Sequence, residues 1–185
     1  MDENKILFVD LDGTLIKEDL SNLALIDCLK KYPFKLVLYL FIFLIKGKPY
    51  LKEKISHNFV VPLDKLTFNK SAIEYIREVK NRHRVVYLIS GSHQVLVDQI
   101  DNHLKIFFES FGSKNNFNLV GENKVKFIKE KLKIDTFEYF GNSKKDLPIW
   151  NHCKKIIYTN ASVSLKRIIE NSKLDKYQVK ANFKK

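Results

Sequence analysis

Phe8–Leu15 reads FVDLDGTL. A β-prone run, ILFV at positions 6–9, leads straight into two aspartates one residue apart, Asp10 and Asp12, and then into a Gly-Thr turn. A short apolar run closed by a turn is the pattern of a strand buried on both faces. Residues two apart in extended chain point to the same side, so both carboxylates project together from the strand end. Like charges held together repel, and a divalent cation offsets that repulsion best. Ligands that are all oxygen favour Mg²⁺, which also binds substrate phosphate.

Outward from this stretch, strands and helices alternate. RVVYLIS (84–90) is a second buried strand that ends in Ser90-Gly91-Ser92, followed by a helix over 93–104. Residues 105–111 and 137–140 read as strands, 122–132 as a helix, and 155–159 as a strand before a helix over 163–172. Residues 69–82 fit a helix with Asn69 as its cap and Ile73, Ile76 and Val79 inward. This alternation predicts an α/β fold, a Rossmann-like parallel sheet flanked by helices. The stretch between the first two strands is mostly helical and too long for one crossover, so a helical cap is expected there. Ligands of open α/β sheets sit beyond the carboxyl ends of the strands. Asp10, Asp12, Ser90, Asn142 and Asp146 all fall at such ends.

The chain has 185 residues, 45% hydrophobic and 29% charged, which suits a folded chain with a sizeable core. Its formal net charge of +12 favours anionic partners: phosphorylated substrates, membrane surfaces or nucleic acid. No aromatic-basic reading motif accompanies the charge, so no specific nucleic acid is expected. Cys28 and Cys153 lack metal-ligand spacing, and the acidic start MDENK is no signal peptide; together they suggest a reduced, cytoplasmic setting. Residues 32–45 read YPFKLVLYLFIFLI between Lys31 and the KGK of 46–48, and their uninterrupted apolar part is Leu36–Ile45. It is shorter than the about 20 residues that span a bilayer. Being apolar all round, it should be buried, either in the core or cap, or in a membrane interface held by its flanking lysines.

The residue types at the strand ends suit phosphoryl transfer. One carboxylate can attack phosphorus, and the other can protonate the leaving group and then activate water. The hydroxyl and backbone N–H groups of Ser90–Ser92 can hold the phosphate, and a lysine can neutralise developing charge. Lys124 is the first choice for that lysine because it opens the helix before the 137–140 strand; Lys126 and Lys129 are alternatives. His93 follows the phosphate-binding turn and reads as a solvated or capping residue rather than a catalyst.

FVDLDGTL, the LISGS strand end, the lysine near 124 and GNSKKD, in that order over about residues 4–161, resemble the four motifs of the haloacid dehalogenase (HAD) superfamily. The resemblance implies a HAD core of residues 1–14 and 69–172, a cap of 15–68 and a basic, frayed tail of 173–185. It implies a Mg²⁺-dependent phosphatase with Asp10 as nucleophile, Asp12 as acid/base and Ser90, Gly91 and Lys124 at the phosphate. Asp10, Asp12, Asn142 and Asp146 would hold the metal. Asn142 stands where that pattern has aspartate, which should loosen Mg²⁺ and weaken activity. VDLDGTLIKEDL, LIKGKPYLK and GNSKKDLPIW with IIYTNAS are similar to the HAD domain fused to UbiA-type polyprenyl transferases. That likeness implies a membrane- or isoprenoid-linked phosphate as substrate, a peripheral location at the membrane, and a prenyl transferase on a separate chain. The alternative it leaves is a weakly active or non-catalytic HAD domain that partners a membrane prenyltransferase.

Overall fold

A computed structural model describes residues 6–114 and 117–184. Lys5, expected in the first strand, and Asn115 and Asn116 of the loop expected over 112–118 lie outside the described residues.

The ILFV run forms β1 (Ile6–Val9), with all four residues buried. It pairs in parallel with β3 (Val85–His93) on one side and β5 (Glu138–Gly141) on the other. With β4 (Glu109–Ser113), β6 (Lys155–Tyr158) and β7 (Asp175–Gln178) these build a six-stranded sheet in the order β4-β3-β1-β5-β6-β7, whose pairings are all parallel. The sheet divides two apolar clusters. Leu7, Val9, Val86, Leu88 and Phe140 face one, and Ile6, Phe8, Tyr87, Ile89 and Tyr139 face the other. Burial on both faces is why these strands read as continuous apolar runs rather than alternating ones. Chain order reverses about β1: β3 and β4 lie to one side, β5, β6 and β7 to the other. A crevice therefore opens at the carboxyl end of β1.

The remaining helices cover the sheet. α3 (Lys70–Asn81) is capped by Asn69, whose side chain accepts from Ala72 N–H. α4 (Gln94–Leu104) is capped by His93, whose Nδ1 accepts from Val95 N–H. α5 (Glu122–Lys126) runs into a π-helical turn at Phe127–Lys131. α6 (Leu147–Trp150) and α7 (Val163–Glu170) bury Ile149, Trp150, Leu165 and Ile169 in the second cluster.

The excursion between β1 and β3 leaves and returns through paired arms. Lys17 N–H donates to Thr67 O, Asn69 N–H donates to Leu15 O, and Ile16 bridges Phe68. Between the arms lie α1 (Leu20–Lys31), capped by the Asp19 side chain, and α2 (Pro33–Ser56). Gly47 interrupts α2 with φ of 77°, so the apolar first half and the Pro49–Ser56 half take separate directions.

Two expectations are corrected. The 32–45 segment does form a helix beside α1, but only Leu36 on it is buried. Phe34, Val37, Leu38, Leu40, Phe41, Leu44 and Ile45 are exposed. Apolar composition states a preference for burial; the single layer of α1 covers one side only. Ile26 and Leu29 of α1 are exposed for the same reason. The tail of 173–185, expected to be frayed, instead holds two strands among its described residues. β7 adds to the sheet edge, and β8 (Phe183–Lys184) pairs antiparallel with β2 (Phe68–Asn69).

Candidate active site

The Gly13 turn brings the two aspartates off β1 into different surroundings. Asp10 is buried, and Lys124 Nζ donates to its Oδ1 at 2.6 Å. Thr14 Oγ1 approaches its Oδ2 at 3.4 Å. Burial pushes the Asp10 carboxyl up to about 7; Lys124 pulls it down, and Asp146 and Asp12 push it further up. Asp12 accepts from Leu20 N–H at 2.9 Å on one oxygen, and from Ser90 Oγ at 3.0 Å and Ser92 Oγ at 2.8 Å on the other. Desolvation raises it too, against the lowering pull of the Leu20 bond.

Lys124 comes from the first turn of α5 and is itself buried. Its Nζ also donates to Tyr139 OH at 2.7 Å, and that hydroxyl donates to Asp146 Oδ1 at 2.8 Å. Of the three lysines weighed from the sequence, Lys124 is the one that reaches Asp10. Asp146 closes a capping box with Ser143: its Oδ2 accepts from Asn142 N–H at 3.0 Å and Ser143 N–H at 2.9 Å. Its carboxylate packs on Gly141, where an added Cβ would lie 2.7 Å from Oδ2. Asn142 lies over Gly13 in the same way. A Cβ there would meet Asn142 Nδ2 at 2.1 Å, and Gly13 has φ of 80° besides.

These groups line a cleft of about 570 Å³. Asp10, Asp12, Lys124, Asn142 and Asp146 line its floor from the sheet side. Lys17, Glu18, Asp19, Lys48 and Lys52 line it from the excursion. Lys52 Nζ donates to Gly91 O at 2.6 Å and Asn118 Oδ1 at 2.7 Å, tying α2 to the end of β3 and to the segment before α5. Burial lowers the Lys52 pKa. Ser90 is fully buried behind Gly91 and Ser92, which themselves line the cleft.

The oxygen donors suit a hard cation. Asn142 Oδ1 is buried and has no hydrogen-bond partner among the described residues, and such an acceptor is costly unless something positive meets it. Among the described residues no three carboxylate, imidazole or thiolate side chains converge as a ready-made ion cage. Asp12 in particular is drawn off by Leu20, Ser90 and Ser92. Asp10 with Asn142, backed by Asp146, is a set of the kind Mg²⁺ uses, with few protein carboxylates and the rest of the shell from water and phosphate.

Sequence reasoning did not single out Tyr139 or Lys52. Tyr139 carried a signal, because a tyrosine in a buried strand needs a partner for its hydroxyl. Lys52 carried none; it is one of seven lysines within residues 20–56.

No family model matches the chain. An uncharacterized protein of Sinorhizobium fredii, y4nM, is 33% identical over 144 residues, which are 78% of this chain. The chain spans only 28% of that relative's length. Among solved structures, a substrate-bound phosphoserine phosphatase superposes with a TM-score of 0.59 at 17% identity, covering 97% of this chain and 96% of that one. A HAD-family hydrolase of Salmonella enterica serovar Typhi gives 0.63 at 13% identity, over 96% and 68%. The fold is therefore the α/β fold of HAD-superfamily hydrolases.

Proposed function

We propose that the chain is a metal-dependent phosphomonoesterase working through an aspartyl-phosphate on Asp10. The observation that carries this reading is the buried Asp10–Lys124 contact of 2.6 Å at the carboxyl end of β1, opening on the cleft. A buried carboxylate that faces a cavity and is oriented by a buried cation has the placement a nucleophile needs. An Asp10 oxygen attacks phosphorus, the ester P–O bond breaks, and the departing oxygen takes a proton from Asp12. Asp12 then accepts a proton from water, whose oxygen displaces Asp10 and releases inorganic phosphate. The raised Asp12 supports its carrying that proton. Lys124 orients Asp10 and shares the charge that builds on it. Ser92, Gly91 and Lys52 border the cleft where the phosphate oxygens would lie. Asp10, Asn142 and Asp146 would hold Mg²⁺, which would neutralise charge between the nucleophile and the phosphate.

The named phosphatase among the structural neighbours acts on a small phosphorylated molecule, as its name says; the substrate class proposed here is likewise a phosphomonoester. The likeness of the motifs to UbiA-fused domains directs the screen to isoprenyl phosphates beside soluble esters. The test is phosphate release from both groups with Mg²⁺, Mn²⁺ or EDTA. The expected result is metal-dependent turnover that Asp10→Asn abolishes. Turnover unchanged by Asp10→Asn, or none under any metal in protein that melts cooperatively, overturns the reading.

A further inference from the structure

We infer that the first half of α2 is a docking face for an anionic lipid surface. Phe34, Val37, Leu38, Phe41, Leu44 and Ile45 recur at the spacing of one helical face, and all six are exposed; Phe34, Leu44 and Ile45 are 90%, 77% and 79% exposed. Soluble surfaces carry scattered apolar residues, but a contiguous stripe of large ones marks an interaction site. The helix is not a loose arm, because Leu36 is buried and Tyr39 packs against the core cluster on its other side. A firm backing with a bare apolar front is the form of an interfacial helix. Pro33–Lys46 is roughly 20 Å of helix, against about 30 Å of bilayer hydrocarbon. No helix among the described residues is long and apolar enough to cross a membrane. The face would therefore lie in the interface rather than span it.

Charge selects the occupant. Residues 20–56 hold seven lysines and two acids. Both acids sit in ion pairs, Asp27 with Lys31 and Glu53 with Lys54. Lys35 and Lys46 stand at the two ends of the stripe, each near an aromatic ring, Tyr32 and Tyr50. Lysines that lay their stems along apolar surface and hold their heads beside aromatic rings suit a headgroup layer. A second copy of the same face would set lysine against lysine, whereas an anionic lipid surface meets it with opposite charge. The stripe ends beside the cleft, since Lys48, just past the Gly47 break, lines it. Docking would set the cleft mouth near the headgroups. The inference does not depend on the phosphatase reading.

The test is co-sedimentation of the full chain with phosphatidylcholine vesicles, with and without phosphatidylglycerol, across a salt series. The expected result is binding at least about tenfold stronger to the anionic vesicles, weakening with salt. The triple variant Phe34→Ser/Phe41→Ser/Leu44→Ser keeps every charge and should lose that binding, while far-UV circular dichroism and the hydrolysis of a soluble ester stay unchanged. Lys35→Glu/Lys46→Glu should lose the preference for phosphatidylglycerol. Vesicle binding that survives the triple serine variant is adsorption by net charge alone and overturns the inference. Failure to bind either vesicle, or dimerisation abolished by the serine variant without vesicle binding, overturns it too.

Discussion

Asn142→Asp should change the protein in opposite directions with and without a divalent cation. Asn142 Oδ1 is buried without a hydrogen-bond partner among the described residues, and its neighbours already include Asp146 across a 3.0 Å backbone contact and the Asp10–Lys124 pair on the cleft floor. A carboxylate there adds a desolvated negative charge to a cluster served by one buried lysine. Without metal this should cost about 1–3 kcal/mol, a drop in Tm of about 2–12 °C for a chain of this size. With metal the same oxygen becomes a charged ligand. A charge-assisted bond contributes about 1.5–3 kcal/mol, so Mg²⁺ should bind roughly one to two decades more tightly. Because binding to the folded state alone stabilises it, the Mg²⁺-induced rise in Tm should exceed that of the unsubstituted chain by about 3–12 °C. The assay is thermal denaturation of both proteins in EDTA and across a Mg²⁺ titration, followed by kcat on a soluble ester. Equal melting in EDTA would mean that position 142 is not desolvated among the carboxylates. An equal Mg²⁺ increment would mean that it is no ligand, and either result refutes the metal assignment.

Stability in EDTA should fall as pH rises from about 4 to 7. Folded Asp10 keeps its proton to about 7 against an ordinary value of 3.8, so the folded state binds the extra proton between them; the resulting stabilisation is complete below the lower value and lost as pH passes the upper one. Asp12, raised as well, acts with the same sign, and Asp10→Asn should flatten the slope in denaturant-unfolding curves. Tyr139→Phe removes the hydroxyl between Lys124 and Asp146; it should lower kcat by about tenfold with little change in KM, the loss of a positioning hydrogen bond of about 1.4 kcal/mol. An unchanged kcat would leave Tyr139 a packing residue. Asn69→Ala should destabilise by about 2–4 kcal/mol in urea unfolding. Asn69 caps α3, accepts from Asn182 N–H, and donates to Thr14 O and Thr159 Oγ1, all from a fully buried position.

The parts of the fold that carry strong local physics could be read from the chain. β1, β3, β5 and β6 announced themselves because strands covered on both faces need unbroken apolar runs. Asn69 could be read as a cap because a short polar acceptor before an amphipathic run has one common use; for His93 the sequence left a solvated role open beside capping. β7 could not. Its DKYQ is exposed throughout, so it has no apolar alternation, and only its hydrogen bonds to β6 make it a strand. The stripe on α2 was visible as apolar, but whether anything covers it depends on the layer beside it, which composition does not encode. At the site, Asp10, Asp12 and Asp146 could be read from their places after strands. Tyr139 and Lys52 could not, because their importance lies in which side chains the fold brings to meet them.

Asn142 is best understood through the charge balance behind it. Asp10 and Asp146 are buried around a single buried lysine, Lys124, at 2.6 and 4.0 Å. Asp12 adds a third carboxylate to the cleft wall. Burial is the main reason Asp10 rises to about 7; Asp146 and Asp12 add to it, and Lys124 opposes the rise without cancelling it, which leaves a deficit of positive charge at Asp10. Under the proposed mechanism two remedies exist: a proton on Asp10, which would disarm it as a nucleophile, or a divalent cation, which would leave it armed. A fourth carboxylate at position 142 would deepen the deficit and make the metal-free fold more costly. An amide there offers the cation an oxygen while adding no charge. On the proposed metal assignment, Asn142 would make the metal-free protein more stable and the metal-bound one looser through the same atom. Activity of this chain should follow the free Mg²⁺ concentration over a range in which an aspartate at that position would already be saturated.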